Sequence, residues 1–160
     1  MFIQPVTGYR KVVTPAFRSQ AENPLLKQSD ITRLDSKLVI GRAPGACRYE
    51  NHQYKINSNI LDKDLQFLKS NYNVDTLIDL RAGHIEGNEI TKEANAAKKA
   101  GMTYLNLQMD GAIAPKPDEL KSFFNTIDKA KGNVYLHCHM GHDRTGVMSA
   151  CYMAKVHKLN

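Results

Sequence analysis

The chain has 160 residues, of which 42% are hydrophobic and 24% are charged, and its formal net charge is +6 at pH 7. This composition excludes a disordered chain, and the length predicts one domain with its own core. No apolar run approaches the roughly 20 residues of a membrane-spanning helix, and residues 1–13 lack the apolar stretch of a secretory signal. The positive charge favours anionic partners such as phosphorylated molecules, although a solvated, lysine-rich surface is the simpler explanation.

Polar residues and three spaced prolines characterise residues 1–36, which predicts an irregular N-terminal arm that does not build the core. A regular pattern then predicts a domain over residues 37–160. Its strands are expected at 38–40, 74–80, 102–109 and 133–136, and its helices at 61–72, 88–100, 117–131 and 144–158. Residues 46–59 have no clear pattern. Strands that alternate with helices predict an α/β fold with a central, mostly parallel sheet flanked by helices.

The three cysteines, Cys47, Cys138 and Cys151, are odd in number and unrelated in spacing. They fit neither a disulfide framework nor a Cys-x-x-Cys site. We therefore expect a reducing, cytoplasmic location, with no metal and no cofactor. Cys151 lies among apolar residues of the last predicted helix, which favours a core position.

The segment HCHMGHDRTG, residues 137–146, connects the last predicted strand to the last predicted helix. In parallel sheets, ligands bind at the carboxyl ends of strands and beside helix N-termini. Five residues separate Cys138 from Arg144, which is enough for a loop whose backbone N–H groups point inward and hold an anion. Gly141 can supply a positive φ there. The spacing predicts a phosphate-binding loop formed by His139, Met140, Gly141, His142, Asp143 and Arg144.

Each polar residue of this loop has a chemical role that its position allows. A helix N-terminus and an arginine lower the pKa of a nearby thiol, which makes Cys138 a candidate nucleophile. The Arg144 guanidinium can hold two phosphate oxygens as a fork. The Thr145 hydroxyl can donate to the Cys138 sulfur. His137, just before the nucleophile, is expected to order the loop rather than to exchange protons.

This segment resembles the HCxxGxxR[ST]G signature of the protein tyrosine phosphatase superfamily. The layout from LVIGRAP to the final helix, about residues 37–158, is similar to that of dual-specificity phosphatases. The resemblance implies a phosphomonoester hydrolase with a cysteinyl-phosphate intermediate that acts on phosphotyrosine and on phosphoserine or phosphothreonine proteins. More helices usually follow in this family, so we expect a domain without those helices. Its apolar last helix is then covered by the arm or by a partner subunit, or the chain is truncated.

The leaving group needs a proton, and Asp110 is the first candidate for the acid because it follows a strand where the acid loop of the family falls. Asp110-Gly111 also fits an ordinary turn. Asp118 is a second candidate, although its place in the first turn of a helix is explained by the helix dipole. Asp143 is a third.

The form CxxGxDRTG resembles a subset that includes bacterial tyrosine and lipid phosphatases and myotubularin-type phosphoinositide phosphatases. Several of these have lysine where this chain has His142, which weakens the case for a multiply phosphorylated inositol. A phosphoinositide or inositol phosphate phosphatase remains an alternative. An RNA 5′-triphosphatase is a further one, but Asp110 argues against it and no nucleic acid is expected. A pseudophosphatase that only binds phosphorylated partners is the alternative from another class.

Two further features allow a structural explanation. Asp79 and Arg81 stand at the end of a predicted strand, and we interpret them as an ion pair that holds the sheet to the loop. Cys47 lies in an irregular segment, and nothing in the sequence shows that this second cysteine reaches Cys138.

Overall fold

The computed structural model describes residue 26 and residues 30–45, 48–50, 53–110 and 113–158. The elements within these ranges follow one another as β1 (Ile31–Arg33), β2 (Leu38–Gly41), β3 (Arg48–Glu50), β4 (Gln53–Lys55), α1 (Ser58–Tyr72), β5 (Val74–Asp79), α2 (Gly83–Lys99), β6 (Thr103–Asn106), α3 (Pro117–Lys129), β7 (Asn133–His137) and α4 (Asp143–Val156). Strands and helices alternate from α1 onward, as the sequence predicts.

The main sheet has five strands in the order β1-β2-β7-β5-β6. Strand β1 runs antiparallel to β2, and the other neighbours are parallel. The predicted fold class, α/β with a mostly parallel sheet between helices, is confirmed. Strands β3 and β4 form a separate hairpin in the segment where the sequence has no clear pattern.

Alternate residues of each strand face opposite sides of the sheet and build two apolar layers. On one side Val39, Leu77 and Tyr135 pack with Leu61, Leu65, Leu68 and Ala97 of α1 and α2. On the other side Leu38, Ile78, Val134 and Leu136 pack with Phe123, Ile127, Met148 and Tyr152 of α3 and α4. Because both faces are covered, the carboxyl ends of the parallel strands are left as the natural place for a site.

Several helix boundaries differ from the prediction, and α1 begins at Ser58, three residues before the predicted start. Helix α2 begins at Gly83, five residues before the predicted start, with Ala82 at its N-cap and no side-chain cap. The sequence gives little indication of this start, because no capping side chain precedes it and its first turns contain two glycines. Helix α3 ends at Lys129, before the expected stop at Gly132.

Part of the expected N-terminal arm belongs to the core, so that expectation is wrong for Leu26 and Ile31. Leu26 is 1% exposed and Ile31 is 8% exposed, and both lie in the α1–α2 layer. The Leu26 backbone N–H also donates to Asp64 Oδ1 at 3.1 Å. Residues 1–25 lie outside the described residues, and the domain boundary at residue 37 stays a prediction.

Helix α4 is buried on one side and open on the other. Met148 and Tyr152 pack against the sheet, whereas Val147 and Val156 are 45% and 47% exposed. Cys151 is half-buried, so its predicted core position is only partly correct. Cys47 lies outside the described residues. None of the helices in the described part of the chain has the length and apolar character needed to cross a lipid bilayer.

Candidate active site

The loop from Cys138 to His142, called here the Cys138 loop, joins the central strand β7 to helix α4. Backbone hydrogen bonds connect it to the ends of both neighbouring strands. The Leu80 N–H donates to the His137 carbonyl at 2.9 Å, and the Ala43 N–H donates to the His139 carbonyl at 3.0 Å. The loop is therefore fixed between the carboxyl ends of β2 and β5, where the sequence predicts a ligand site.

Hydrogen bonds on the carbonyl side also orient the peptide planes of this loop. The Cys138 carbonyl lies 2.9 Å from His137 Nδ1, and the His139 carbonyl accepts from Ala43. A trans peptide points its N–H opposite to its C=O, and the described chain contains no cis peptide. The N–H groups of His139 and Met140 therefore point away from these two partners.

Gly141 occupies a position that requires glycine. Its φ is +80°, and a Cβ atom there would lie 2.5 Å from the Gly41 carbonyl oxygen and 2.9 Å from the Arg42 nitrogen. The predicted positive φ is confirmed. The close approach that glycine permits is to the end of β2, and it presses the Cys138 loop against that strand.

The Cys138 thiol is 3% exposed and lies in a field that favours its ionised form. Burial alone raises the pKa of a thiol. Hydrogen bonds from the Thr145 hydroxyl, the Thr145 N–H and the Gly141 N–H, together with the charge of Arg144, outweigh burial and lower the pKa of Cys138 below its ordinary value. The two N–H donors show that the backbone of the loop and of the first turn of α4 points toward the sulfur.

Thr145 is wholly buried in the first turn of α4. Its hydroxyl has no partner with full hydrogen-bond geometry within the described ranges, but it is close enough to the Cys138 sulfur to lower the pKa of that thiol. Its carbonyl accepts from the Ser149 hydroxyl at 2.6 Å, which fixes the turn. The predicted role of Thr145 as a donor to the sulfur stays a prediction.

Arg144 turns back from α4 across the Cys138 loop. Its Nη1 donates to the Leu80 carbonyl oxygen at 3.1 Å, at the end of β5. The same oxygen accepts from the Met109 N–H at 3.3 Å. One carbonyl therefore brings the guanidinium and the residue before Asp110 together on one edge of the sheet.

The three candidate acids are all exposed, but they differ in position. Asp110 follows Met109 at the edge where Arg144 is anchored, and its carbonyl accepts from the Ile113 N–H at 3.3 Å. Asp118 and Asp143 lie in the first turns of α3 and α4, where a carboxylate complements the helix dipole. Asp110 alone belongs to a segment bound to the carbonyl that also anchors Arg144.

The remaining loop residues differ in exposure. Met140 is 55% exposed, and His142 is exposed at the N-cap of α4. His139 is half-buried. Burial, followed by the positive charges of Arg81 and Arg144, lowers the pKa of His139 to about 4, so its imidazole is neutral at pH 7.

Behind the loop lies a buried ion cluster formed by Asp79, Arg81, Glu93 and His137, all 0% exposed. Arg81 Nη2 lies 2.7 Å from Asp79 Oδ2 and also contacts Glu93. His137 Nε2 lies 2.8 Å from Glu93 Oε1. The predicted Asp79–Arg81 ion pair is confirmed within this larger cluster. The guanidinium already supplies a positive charge between the carboxylates, which argues against a metal at this position.

Sequence reasoning missed Glu93. It lies on α2, which is rich in charged residues, so its carboxylate resembles a solvated helix face. A weak signal existed, because Glu93 is followed by Ala94, Ala96 and Ala97, and Ala97 belongs to the buried face of the helix.

Comparison with known families agrees with this geometry. The family model described as "Tc-R-P: Polymorphic toxin system, DSP-PTPase phosphatase" matches residues 52–157. The chain belongs to this family. The resemblance to cysteine-dependent, dual-specificity-like phosphatases noted from the sequence is thereby confirmed.

The individual relatives and solved structures share 30% sequence identity or less with this chain. The tyrosine-protein phosphatase cdc-14 of Caenorhabditis elegans is 30% identical over 86 residues, which cover 54% of this chain and 11% of that protein. The crystal structure of PTPMT1 in complex with PI(5)P has a TM-score of 0.60 at 22% identity, and covers 81% of this chain and 74% of that one. A cysteine-to-serine variant of TpbA from P. aeruginosa, in complex with pTyr, has a TM-score of 0.58 at 17% identity, with coverage of 88% and 70%. These structures share the fold of this family member.

Proposed function

We propose that this phosphatase hydrolyses phosphotyrosine, phosphoserine and phosphothreonine in proteins through a cysteinyl-phosphate intermediate. Cys138 is the nucleophile, Arg144 and the backbone of the Cys138 loop bind the phosphoryl group, and Asp110 is the general acid. The observation that carries the proposal is the environment of Cys138: a buried thiol whose pKa is lowered by two N–H donors, a buried hydroxyl and an arginine.

In the first step the Cys138 thiolate attacks phosphorus. The S–P bond forms, the P–O bond to the leaving group breaks, and the leaving oxygen takes the proton of the Asp110 carboxylic acid. Arg144 stabilises the charge that spreads over the phosphoryl oxygens, because its guanidinium is held in place by the Leu80 carbonyl at 3.1 Å.

In the second step water attacks phosphorus and gives its proton to the Asp110 carboxylate. The S–P bond breaks, inorganic phosphate forms, and Cys138 leaves as a thiolate. The Thr145 hydroxyl, which faces the sulfur, stabilises that thiolate as its charge returns.

Hydrolysis of para-nitrophenyl phosphate by the intact chain tests the enzymatic proposal, with Cys138→Ser as the control. We expect turnover that is abolished in the variant. Absence of turnover in the intact chain would instead support the pseudophosphatase alternative.

The role of Asp110 is tested by its replacement with asparagine, with Asp118→Asn as a matched control at another exposed aspartate. We expect Asp110→Asn to lower kcat by roughly 10²–10⁴-fold and to remove the alkaline limb of the pH–rate profile. Asp118→Asn should retain the kcat and the alkaline limb of the parent chain. A normal profile in Asp110→Asn would transfer the role to Asp143 or Asp118.

The substrate class is tested with matched phosphopeptides, phosphoinositides and inositol phosphates. The structure bound to PI(5)P and the one bound to pTyr both share this fold, so the fold does not separate the two classes. We expect phosphotyrosine peptides to react fastest, because His142 replaces the lysine that would pair with further phosphates. Faster hydrolysis of a phosphoinositide would overturn this choice.

A further inference from the structure

The buried ion cluster contains two acids and two bases, and its charge depends on His137. With Asp79 and Glu93 ionised and Arg81 charged, the cluster is neutral only if His137 is also charged. A net charge buried without a counter-charge is strongly unfavourable. With both carboxylates ionised, charge balance therefore requires a protonated imidazole.

The contacts of His137 agree with this requirement. Nε2 lies 2.8 Å from a Glu93 oxygen, and Nδ1 lies 2.9 Å from the Cys138 carbonyl oxygen. Both neighbours carry negative charge or negative partial charge, which favours a protonated ring; the Nε2–Glu93 contact is a short ion pair without hydrogen-bond alignment. Burial opposes this charge, but Glu93 and Asp79 outweigh it and raise the pKa of His137 to about 9.

Other groups around His137 do not replace Glu93. Asp79 is farther, with Oδ1 at 3.9 Å from Nδ1, and it is already held by Arg81 and by the Tyr104 hydroxyl at 2.5 Å. Tyr135 stacks on the imidazole with ring centroids 5.7 Å apart, and burial raises its pKa well above the ordinary value, so it stays neutral. Glu93 is thus the anion in direct contact with the ring.

We propose that Glu93 is a positioning residue for the nucleophile: it holds His137 in its charged form, and His137 in turn fixes the Cys138 carbonyl and places a positive charge behind the Cys138 thiolate. The inference rests on the proposed function, because the thiolate matters only if Cys138 attacks. It links helix α2 to the Cys138 loop through one buried proton.

The sign of the effect separates this role from two simpler ones. Glu93→Gln removes a negative charge, and a direct Coulomb effect on the sulfur would then lower the pKa of Cys138. If His137 loses its proton as well, the positive charge adjacent to Cys138 disappears and the pKa rises. A purely structural glutamate would change the free energy of unfolding and leave the pKa of Cys138 unchanged.

The test is the pH dependence of Cys138 thiolate formation, followed by ultraviolet absorbance as a difference from Cys138→Ser and by the rate of alkylation with iodoacetamide. In Glu93→Gln we expect a pKa higher by about one unit, which is about tenfold slower alkylation at pH values below both pKa values. An unchanged or lower pKa would overturn the proposal. The titration needs no turnover, so it stands apart from the phosphatase assay that tests the proposed function.

Glu89→Gln is the matched control. Glu89 lies on the same helix one turn earlier, is 5% exposed, and accepts from the Ile56 N–H at 2.6 Å. It contacts Lys92 rather than His137. We expect the pKa of Cys138 in this variant to match that of the parent chain, and a shift equal to that of Glu93→Gln would refute a specific role for Glu93.

Two further measurements complete the test. In a His137→Gln background, Glu93→Gln should add no further shift, because the group through which it acts is absent. If Glu93→Gln does not fold, nitrogen-15 NMR of the histidine rings in the parent chain tests the same proposal. A doubly protonated His137 at pH 7.5 supports it, and a neutral ring there overturns it.

Discussion

The Thr145 hydroxyl is the side-chain donor whose contribution to the reactivity of Cys138 can be isolated most cleanly. It is wholly buried and has no oxygen or nitrogen partner in the part of the chain that the structure describes. Thr145→Val replaces it with a methyl group of almost the same shape. The change therefore removes the hydroxyl that lowers the pKa of Cys138 without opening a cavity.

The expected magnitude follows from the hydrogen bond that is lost. A hydrogen bond to a charged group contributes roughly 1.5–3 kcal/mol, and a pKa unit corresponds to about 1.4 kcal/mol. Two backbone N–H groups and Arg144 still stabilise the thiolate in the variant. We therefore expect the lower end of that range, a rise of about one unit in the pKa of Cys138.

The sign is upward because the hydroxyl stabilises the ionised form. The acid limb of the kcat/KM profile for para-nitrophenyl phosphate should move to higher pH, with a rate about tenfold lower at pH values below both pKa values. Burst kinetics should also show slower breakdown of the cysteinyl-phosphate, because the departing thiolate has lost a donor. Thr145→Ser keeps the hydroxyl and should retain the acid limb of the parent chain. An unshifted acid limb in Thr145→Val would refute the reasoning.

Two other substitutions test the guanidinium of Arg144 and the backbone of the Cys138 loop. Arg144→Lys keeps the charge but loses the guanidinium fork, and we expect kcat/KM to fall by roughly 10²–10³-fold while the pKa of Cys138 changes little; a value within threefold of the parent would contradict this. Gly141→Ala places a Cβ 2.5 Å from the Gly41 carbonyl oxygen at a φ of +80°, and should lower the free energy of unfolding by about 1–3 kcal/mol. Gly146→Ala is its control: a Cβ there meets nothing within 4 Å on a helix, so denaturant unfolding should show a neutral or slightly stabilising change. Equal destabilisation by both alanines would show that the close approach to β2 is unimportant.

The sequence predicted the local structure of the loop well because that structure depends on neighbouring residues. Cys138, Gly141, Arg144 and Thr145 lie within eight consecutive residues, between a strand and a helix that their own periodicity predicts. A loop of this length has few ways to connect the two elements. The positive φ of Gly141 and the position of Thr145 follow from that connection.

The chain up to the start of α2 was predicted less well. The β3–β4 hairpin and the early start of α2 carry weak local signals, since the hairpin strands have three residues each and α2 begins without a side-chain cap. The core position of Leu26 depends on α1, where Asp64 holds its backbone N–H across 38 positions. Contacts of that kind have no periodicity that a sequence window can detect.

The sequence alone determined the fold class, the nucleophile candidate and the arginine, because hydrophobic periodicity and a continuous motif both act over short distances. Only the tertiary structure brought the Leu80 carbonyl to both Arg144 and Met109, and Glu93 to His137. Arg144 lies 64 positions from Leu80 along the chain, and the two meet because parallel strands bring their carboxyl ends to one edge of the sheet. Burial then sets the charge states of Glu93 and His137, because the two form an ion pair only where water is excluded from both.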